Sequence, residues 1–230
     1  MPGSPTGQVK GQNSFKFIDN QIVMPHKIKE IKARIAADPV MRPLVEQIDF
    51  PEPAEGSDLY FDLVQTIVFQ QLSVKAAQTI FDRFAALFED NWPHPEQLIK
   101  MDMESMRRAG LSKQKGTYVQ NVAAFFLEEN LLSYNWADHD DQSIINLLTR
   151  IKGVGNWTAE MILMFSLNRP DVFPVDDLGI QTAVIKLYGL QKEAKDLKKQ
   201  MVEVAEAWRP FRTTASMYLW RYLDSGFQKK

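Results

Sequence analysis

The segment from Ile151 to Gly179 reads IKGVGNWTAEMILMFSLNRPDVFPVDDLG. It contains a Gly-Val-Gly turn between two runs in which apolar side chains repeat at helical spacing. Two adjacent carboxylates, Asp176 and Asp177, then stand directly before another apolar stripe. The segment therefore predicts a helix, a tight hairpin and a second helix, followed by a loop that brings a pair of carboxylates to the start of a third helix.

The hairpin at Gly153–Gly155 has two interpretations that the sequence leaves open. A second helix that begins near Asn156 would direct its free N–H groups and the positive end of its dipole at an anion such as a phosphate. Paired glycines also occur in tight turns that bind nothing. A dinucleotide-binding loop would need a third glycine where this chain has Thr158. In either case we expect Val154 to point inward and Ser143 to cap the preceding helix.

The carboxylate pair also has two interpretations, and they are compatible. Asp176 and Asp177 precede the apolar stripe that begins at Ile180, which is where helix N-caps occur. A carboxylate that accepts backbone N–H bonds stays ionised, because those bonds favour the charged form. Such a group is a poor general acid, but it can stabilise a positively charged sugar or orient an attacking water.

Composition limits the classes of protein and of site. The chain has 230 residues, of which 45% are hydrophobic, so it can bury the core of one domain or of two closely packed lobes. The absence of cysteine excludes disulfides, thiolate zinc sites and iron–sulfur clusters. The three histidines are scattered without the spacing of metal ligands. We therefore expect no required cofactor.

Charge and hydropathy limit the partners. A net charge of −2 argues against a broad electrostatic DNA binder and leaves a small footprint of well-placed contacts. The apolar runs are too short to cross a membrane, and the polar first residues do not form a signal peptide. We expect an intracellular monomer that does not bind membranes.

The whole chain has the pattern of an all-α protein. Apolar stripes at helical spacing recur from end to end, prolines and glycines separate them, and alternating strand patterns are scarce. We expect a disordered tail at 1–13 and one two-lobed domain at 14–230. The expected lobes are a central one at about 57–135, and a second one at 14–56 plus 136–230 that contains the hairpin at 144–166.

Four segments resemble the helix-hairpin-helix DNA glycosylase superfamily, and they occur in that family's order. They are FQQLSVKAA at Phe69–Ala77, GLSKQK at Gly110–Lys115, the hairpin and aspartates at Leu147–Ile180, and WRPFR at Trp208–Arg212 followed by a helix that ends at Trp220. The branch they resemble most is that of bacterial 3-methyladenine DNA glycosylase II, which repairs alkylation damage. The resemblance covers about Ser57 to Trp220. It implies two helical lobes with the active site in the cleft between them.

The resemblance assigns roles to individual residues. The family's catalytic aspartate falls on Asp177, because an apolar residue, Ile180, follows it three positions later. Backbone carbonyls of Ile151 and Val154 are where relatives hold a monovalent cation, Na⁺ or K⁺. The residues implied to contact DNA are Gly153, Val154, Gly155, Asn156 and Thr158 at the hairpin, and Gln71, Leu72 and Ser73 in the loop that fills the gap left by an extruded base. Either Gln71 or Leu72 could fill that gap.

Position 157 indicates the type of reaction. Superfamily members that also cut the DNA backbone carry a lysine there, whereas this chain has Trp157. The implied base pocket contains Trp157, Trp220, Met161 and Leu178. Met161 and Leu178 replace tyrosines of the best-known relative, so we expect a less aromatic pocket. An indole face suits an alkylated purine, because a cation over an aromatic ring gains about 0.5–2 kcal/mol.

The implied function is that of a monofunctional DNA glycosylase acting on double-stranded DNA with damaged bases. It would extrude alkylated purines of the 3-methyladenine and 7-methylguanine type and hydrolyse the N-glycosidic bond, leaving an abasic site for base excision repair. Two alternatives stay open: a non-catalytic hairpin protein that binds DNA structure, and a glycosylase for deaminated or oxidised bases. The basic residues Arg107, Arg108, Lys113 and Lys115 either contact phosphates or form solvated surface.

Overall fold

The computed structural model describes residues 25–51 and 58–224, so the tail expected at 1–13 lies outside the described residues. Every regular element in these two ranges is helical, which confirms the all-α prediction. The α-helices are α1 Pro25–Ala36, α2 Arg42–Gln47, α3 Leu59–Phe69, α4 Val74–Ala85, α5 Pro95–Leu98, α6 Met103–Ala109, α7 Lys113–Glu128, α8 Asp141–Leu148, α9 Asn156–Met161, α10 Leu178–Tyr188, α11 Leu197–Ala205 and α12 Arg212–Asp224.

Short helical turns complete the fold. Three 3-10 turns occupy Leu131–Ser133, Trp136–Asp138 and Glu206–Trp208. Directly after α9, the backbone widens into a π-helical turn at Ile162–Ser166, which the apolar pattern did not distinguish from an ordinary helix. The helix before the hairpin begins earlier than expected. Asp140 caps α8 by accepting the N–H of Ser143 at 2.9 Å, so the prediction that Ser143 is the cap was wrong.

Buried side chains form two cores. The first core runs from Leu59 to Val172 and includes α3, α4, α7, α8, α9 and the π-helical turn. The second core combines α1 and α2 with α10, α11 and α12, and it begins again at Phe173. Trp220 packs against both cores. The segment from Asp171 to Asp177 therefore joins one core to the other.

The hairpin packs in the first core, whereas the lobe boundary suggested by the sequence would place it with the chain termini. Ile144, Leu148 and Ile162 are buried in the first core, together with the central segment, rather than with the chain termini. The reason is that α9 and the π-helical turn pack their apolar side chains against α3. The division into lobes stays a prediction, but in the described residues the two cores meet after Val172 instead of near residue 135.

The C-terminal WRPFR motif stabilises the second core. Trp208 is fully buried, and its Nε1 donates a hydrogen bond to Asp38 Oδ2 at 3.0 Å. The hydroxyl of Tyr188 donates to the same oxygen at 2.6 Å. One carboxylate after α1 thus connects α10 with the 3-10 turn that precedes α12.

Candidate active site

Gly153 holds the hairpin in a conformation that other residues would strain. Its φ of +112° lies in the left-handed region, and a Cβ there would stand 2.4 Å from Cγ of Tyr118. One helical turn further along α7, Asn121 Nδ2 donates a hydrogen bond to the carbonyl of Lys152 at 3.0 Å. The hairpin is therefore fastened to α7 by a ring contact and a hydrogen bond.

The outer side of the hairpin is open. Val154 is buried, as expected, and α9 begins at Asn156, also as expected. A Cβ on Gly155 would meet no atom within 4 Å, so a bulky group can approach the backbone at this point. The side chain of Thr158 is buried, and its Oγ1 accepts a long hydrogen bond of 3.4 Å from Gln70 Nε2. Thr158 therefore presents no side chain to solvent.

Asp177 accepts three hydrogen bonds from neutral donors. It caps α10, because Oδ1 accepts the N–H of Ile180 at 2.8 Å, which confirms the predicted capping role. The same oxygen accepts Nε1–H of Trp220 at 2.9 Å, and Oδ2 accepts Nε1–H of Trp157 at 2.9 Å. Among the described residues, no cation forms an ion pair with this carboxylate. Its orientation is fixed while its charge is not cancelled.

The neighbours of Asp177 are adapted to this arrangement. Asp176 instead pairs with Lys198 at 2.5 Å on the surface. A Cβ on Gly179 would lie 3.0 Å from both Asp177 Oδ1 and Trp220 Cδ1. Gly179 therefore leaves the space through which the Trp220 indole reaches the carboxylate. No motif in the sequence pointed to this glycine.

A cavity of about 600 Å³ lies against the Trp157 indole. Its walls are Trp157, Met161 and Phe165 on one side, and the end of α3 with the following loop, including Phe69 and Gln71, on the other. Its volume lies within the roughly 300–1,000 Å³ typical of small-molecule sites. Trp157 lines this cavity and donates to Asp177, so the carboxylate is connected to the cavity through this indole.

The four residues expected to form the base pocket occupy different positions. Trp157 and Met161 line the cavity. Trp220 lies behind it, stacked on Phe165 with ring centroids 6.0 Å apart. Leu178 is 77% exposed beside Asp177 and is not part of the lining. Phe165, which the sequence did not single out, takes a place in the cavity wall.

The loop after α3 presents its side chains to solvent and to the cavity. Gln71 adopts a left-handed φ of +58°, and Gln71 and Leu72 both line the cavity. Ser73 is exposed at the start of α4. Lys115 holds the backbone at the start of this loop, because its Nζ donates hydrogen bonds to the carbonyls of Val68 at 2.7 Å and Gln70 at 2.6 Å. Burial lowers the pKa of Lys115 from its ordinary value.

Glu160 is a titratable group that the sequence gave no reason to notice. It follows Trp157 by one turn of α9, and its Oε2 is buried with no hydrogen-bond partner among the described residues. Burial raises the pKa of this carboxyl to about 7, and the charges of Asp176 and Asp177 add to the rise. Glu160 therefore exchanges its proton near neutral pH.

The carbonyls of Ile151 and Val154 in the hairpin are the expected ligands of a monovalent cation. The carbonyl of Ile151 accepts the N–H of Val154 at 3.0 Å, and a carbonyl retains a second lone pair. In the ranges that the structure covers, no group of three or more His, Asp or Glu side chains could hold a metal ion.

No helix in those ranges is long and apolar enough to cross a membrane.

A family model decides which proteins the chain is related to. The model described as "HhH-GPD superfamily base excision DNA repair protein" matches residues 64–210. The chain belongs to this superfamily. The matched range contains the hairpin, the cavity walls and Asp177, and it confirms the resemblance found in the sequence.

Individual relatives agree with this result. The chain is 37% identical over 169 residues to DNA-3-methyladenine glycosylase 1 of Schizosaccharomyces pombe, covering 73% of each protein. Among solved structures, S. pombe 3-methyladenine DNA glycosylase in complex with abasic DNA superposes with a TM-score of 0.75 at 31% identity, over 87% of this chain and all of that one. A DNA-3-methyladenine glycosidase from Bacillus halodurans gives 0.71 at 36% identity, over 84% and 88%.

Proposed function

We propose that this protein is a monofunctional DNA glycosylase that removes alkylated purines of the 3-methyladenine and 7-methylguanine type from double-stranded DNA. One observation carries the proposal. Asp177 is oriented by three neutral donors, bears no ion pair in the described residues, and is hydrogen-bonded to the indole that forms one wall of a cavity. The names of the S. pombe and B. halodurans relatives support the class of substrate.

In the proposed reaction, the damaged nucleotide leaves the base stack and its base enters the cavity against Trp157. Extrusion costs a few kcal/mol, and least for a damaged or mispaired base. An alkylated purine is cationic, so it departs with the bonding electron pair and needs little protonation. The positive charge then moves to the sugar, where the uncancelled carboxylate of Asp177 stabilises it. Water adds to the anomeric carbon and loses a proton, which leaves a free base and an abasic site.

The side chain at position 157 limits the chemistry. A Schiff-base route through this position requires a lysine amine, and Trp157 has no nucleophilic nitrogen. The indole N–H is instead occupied by its hydrogen bond to Asp177. We therefore expect hydrolysis alone, with the DNA strand left intact at the abasic site.

The hairpin and the loop after α3 would hold the DNA on either side of the extruded nucleotide. The open backbone at Gly155 and the first turn of α9 suit a phosphate, and Gln71 or Leu72 suits the gap in the duplex. A Na⁺ or K⁺ ion at the carbonyls of Ile151 and Val154 would add positive charge beside that phosphate. A protein with this function acts where chromosomal DNA is, in a nucleoid or a nucleus.

The test is base release from a duplex that contains one 7-methylguanine. The expected products are free 7-methylguanine, measured by liquid chromatography, and a strand that breaks only after hot alkali. Strand cleavage without alkali would contradict hydrolysis as the only step. Salt-dependent duplex binding with no release would favour the non-catalytic alternative, and preferred release of hypoxanthine or 8-oxoguanine would favour the other glycosylase alternative.

A further inference from the structure

We propose that a basic cleft between α6 and α7 is a second contact surface for duplex DNA, a few base pairs from the extruded nucleotide. The inference rests on the proposed function and extends its DNA footprint beyond the hairpin and the loop after α3. The cleft is an open cavity of about 680 Å³ lined by Met103, Glu104, Arg107, Arg108 and Lys113. We call it the α6–α7 cleft.

The charge of the α6–α7 cleft is positive. Arg108 pairs with Glu104 at 3.0 Å, and both side chains are largely exposed. Arg107 and Lys113 form no ion pair and no side-chain hydrogen bond within the described ranges. Two uncompensated cations thus face the same opening in a chain whose net charge is −2. Such a local surplus suits a polyanion.

The α6–α7 cleft lies next to the loop that faces the DNA gap. Lys115, in the first turn of α7, donates hydrogen bonds to the carbonyl of Val68 near the end of α3 and, at 2.6 Å, to that of Gln70 directly after α3. The turn between α6 and α7 also touches α4, since a Cβ on Gly110 would stand 3.0 Å from Ile80. Lys113 precedes Lys115 by two residues. The backbone at Lys113 is therefore within roughly 15 Å of the loop, or about four base-pair steps of a duplex.

A duplex fits these observations better than a small phosphate compound does. The cations sit on the rim of an open cavity, and all three side chains are exposed. A site for free phosphate or a nucleotide would enclose its ligand and bury the charges that bind it. A duplex instead presents a continuous row of phosphates that exposed cations contact by displacing counterions.

The experiment compares two double variants that each lose two positive charges. Arg107→Gln/Lys113→Gln alters the α6–α7 cleft, and Lys192→Gln/Lys195→Gln is the matched control on the exposed segment between α10 and α11. Binding is measured by fluorescence anisotropy against an abasic-site duplex of roughly 25 base pairs, over a series of salt concentrations. A second duplex ends directly beyond the abasic site on the side of the cleft.

For the long duplex, we expect the cleft variant to bind about tenfold more weakly at low salt and to have a slope of log K against log salt that is less negative by about 2. The control should match the wild type. On the truncated duplex, the wild type and the cleft variant should bind alike. An unchanged slope for the cleft variant, or an equal loss in the control, would overturn the proposal.

Two further readouts separate the possible failures. Titration with inorganic phosphate alone tests a free-anion site, and saturable phosphate binding lost in the cleft variant without any change in the duplex slope would also overturn the proposal. Binding to an abasic duplex does not depend on base release. If the wild type releases no base, the proposed function fails while the salt slope still decides the role of the cleft.

Discussion

The segment that links the two cores, from Asp171 to Asp177, has a carboxylate at each end, and the two carboxylates have different kinds of hydrogen-bond partner. At the first end, Asp171 accepts hydrogen bonds from the guanidinium groups of Arg209 and Arg212, with Arg212 Nε at 2.7 Å from Oδ1. At the other end, the partners of Asp177 among the described residues are a backbone N–H and two indole N–H groups. Both carboxylates are oriented by their partners, yet among the described residues cations compensate only the charge of Asp171.

The difference separates a structural aspartate from the one that we propose is catalytic. Guanidinium groups orient a carboxylate and cancel its charge, which suits Asp171 because it joins the linking segment to α12. Neutral donors orient Asp177 while its field still acts on the cavity edge, where a sugar cation would form. The residue types of the partners, rather than the number of hydrogen bonds, indicate which carboxylate does chemistry.

Removing the charge at Asp177 tests this comparison with the largest expected effect. Asp177→Asn retains the shape and the capping oxygen but leaves no anion beside the sugar. We expect single-turnover base release to fall by about 10²–10³-fold, while affinity for an abasic duplex changes little. Asp176→Asn is the matched control, because its partner is the surface residue Lys198. Base release that survives in Asp177→Asn would move the chemistry to another group.

The same substitution at the other end should alter stability instead of rate. In Asp171→Asn, the guanidinium groups of Arg209 and Arg212 lose one of their two counter-charges and keep only Glu206, and the Arg212 side chain is largely buried. We expect the free energy of unfolding to fall by about 2 kcal/mol, measured by urea denaturation. Base release per folded molecule should stay close to the wild type. A large rate loss without destabilisation would break the distinction between the two carboxylates.

Replacing one neutral donor should have a smaller effect on the rate. Trp220→Phe retains an aromatic ring against Phe165 but removes the hydrogen bond to Asp177 Oδ1. A hydrogen bond to a charged group contributes about 1.5–3 kcal/mol, so we expect kcat to fall by about tenfold. KM should change little, because Trp220 does not line the cavity. A change confined to KM would contradict an orienting role for this indole.

The smallest expected effect concerns Glu160 and depends on pH. Unfolded, this carboxyl loses its proton near 4.5, whereas burial raises its pKa in the folded protein to about 7. The folded protein binds the proton more tightly, so the wild type loses stability as pH rises through that window. Glu160→Gln should not show this pH-dependent loss. The loss of unfolding free energy in the wild type should be at most about 1 kcal/mol, because partial exposure screens the charge of Glu160. Thermal midpoints that differ from the wild type by a constant amount at all pH values would contradict this.

Local features of the site could be predicted from the sequence. The hairpin turn, the start of α9 at Asn156, the inward Val154 and the capping by Asp177 all depend on residues a few positions apart. Each follows from helix-end chemistry, which acts over a single turn. The family motifs extended this reasoning to Trp157, whose side chain does reach the carboxylate.

Long-range partners could not be predicted in the same way. The cations that neutralise Asp171 lie in the C-terminal motif, and the indole of Trp220 reaches Asp177 only because Gly179 leaves room for it. The buried state of Glu160 likewise depends on how α9 packs rather than on its neighbours in the sequence. Tertiary packing decides which carboxylate is neutralised, and a single sequence carries no separate signal for it.

The central claim is that Asp177 presents an uncancelled negative charge to a cation at the anomeric position. The most direct measurement is the difference in affinity between a duplex with a pyrrolidine nucleotide, which is protonated at the anomeric position, and one with a neutral tetrahydrofuran nucleotide. We predict that the wild type and Asp171→Asn bind the cationic duplex at least about tenfold more tightly, and that Asp177→Asn loses this preference. Equal affinity of the wild type for both duplexes, or a preference that survives in Asp177→Asn, would contradict the claim.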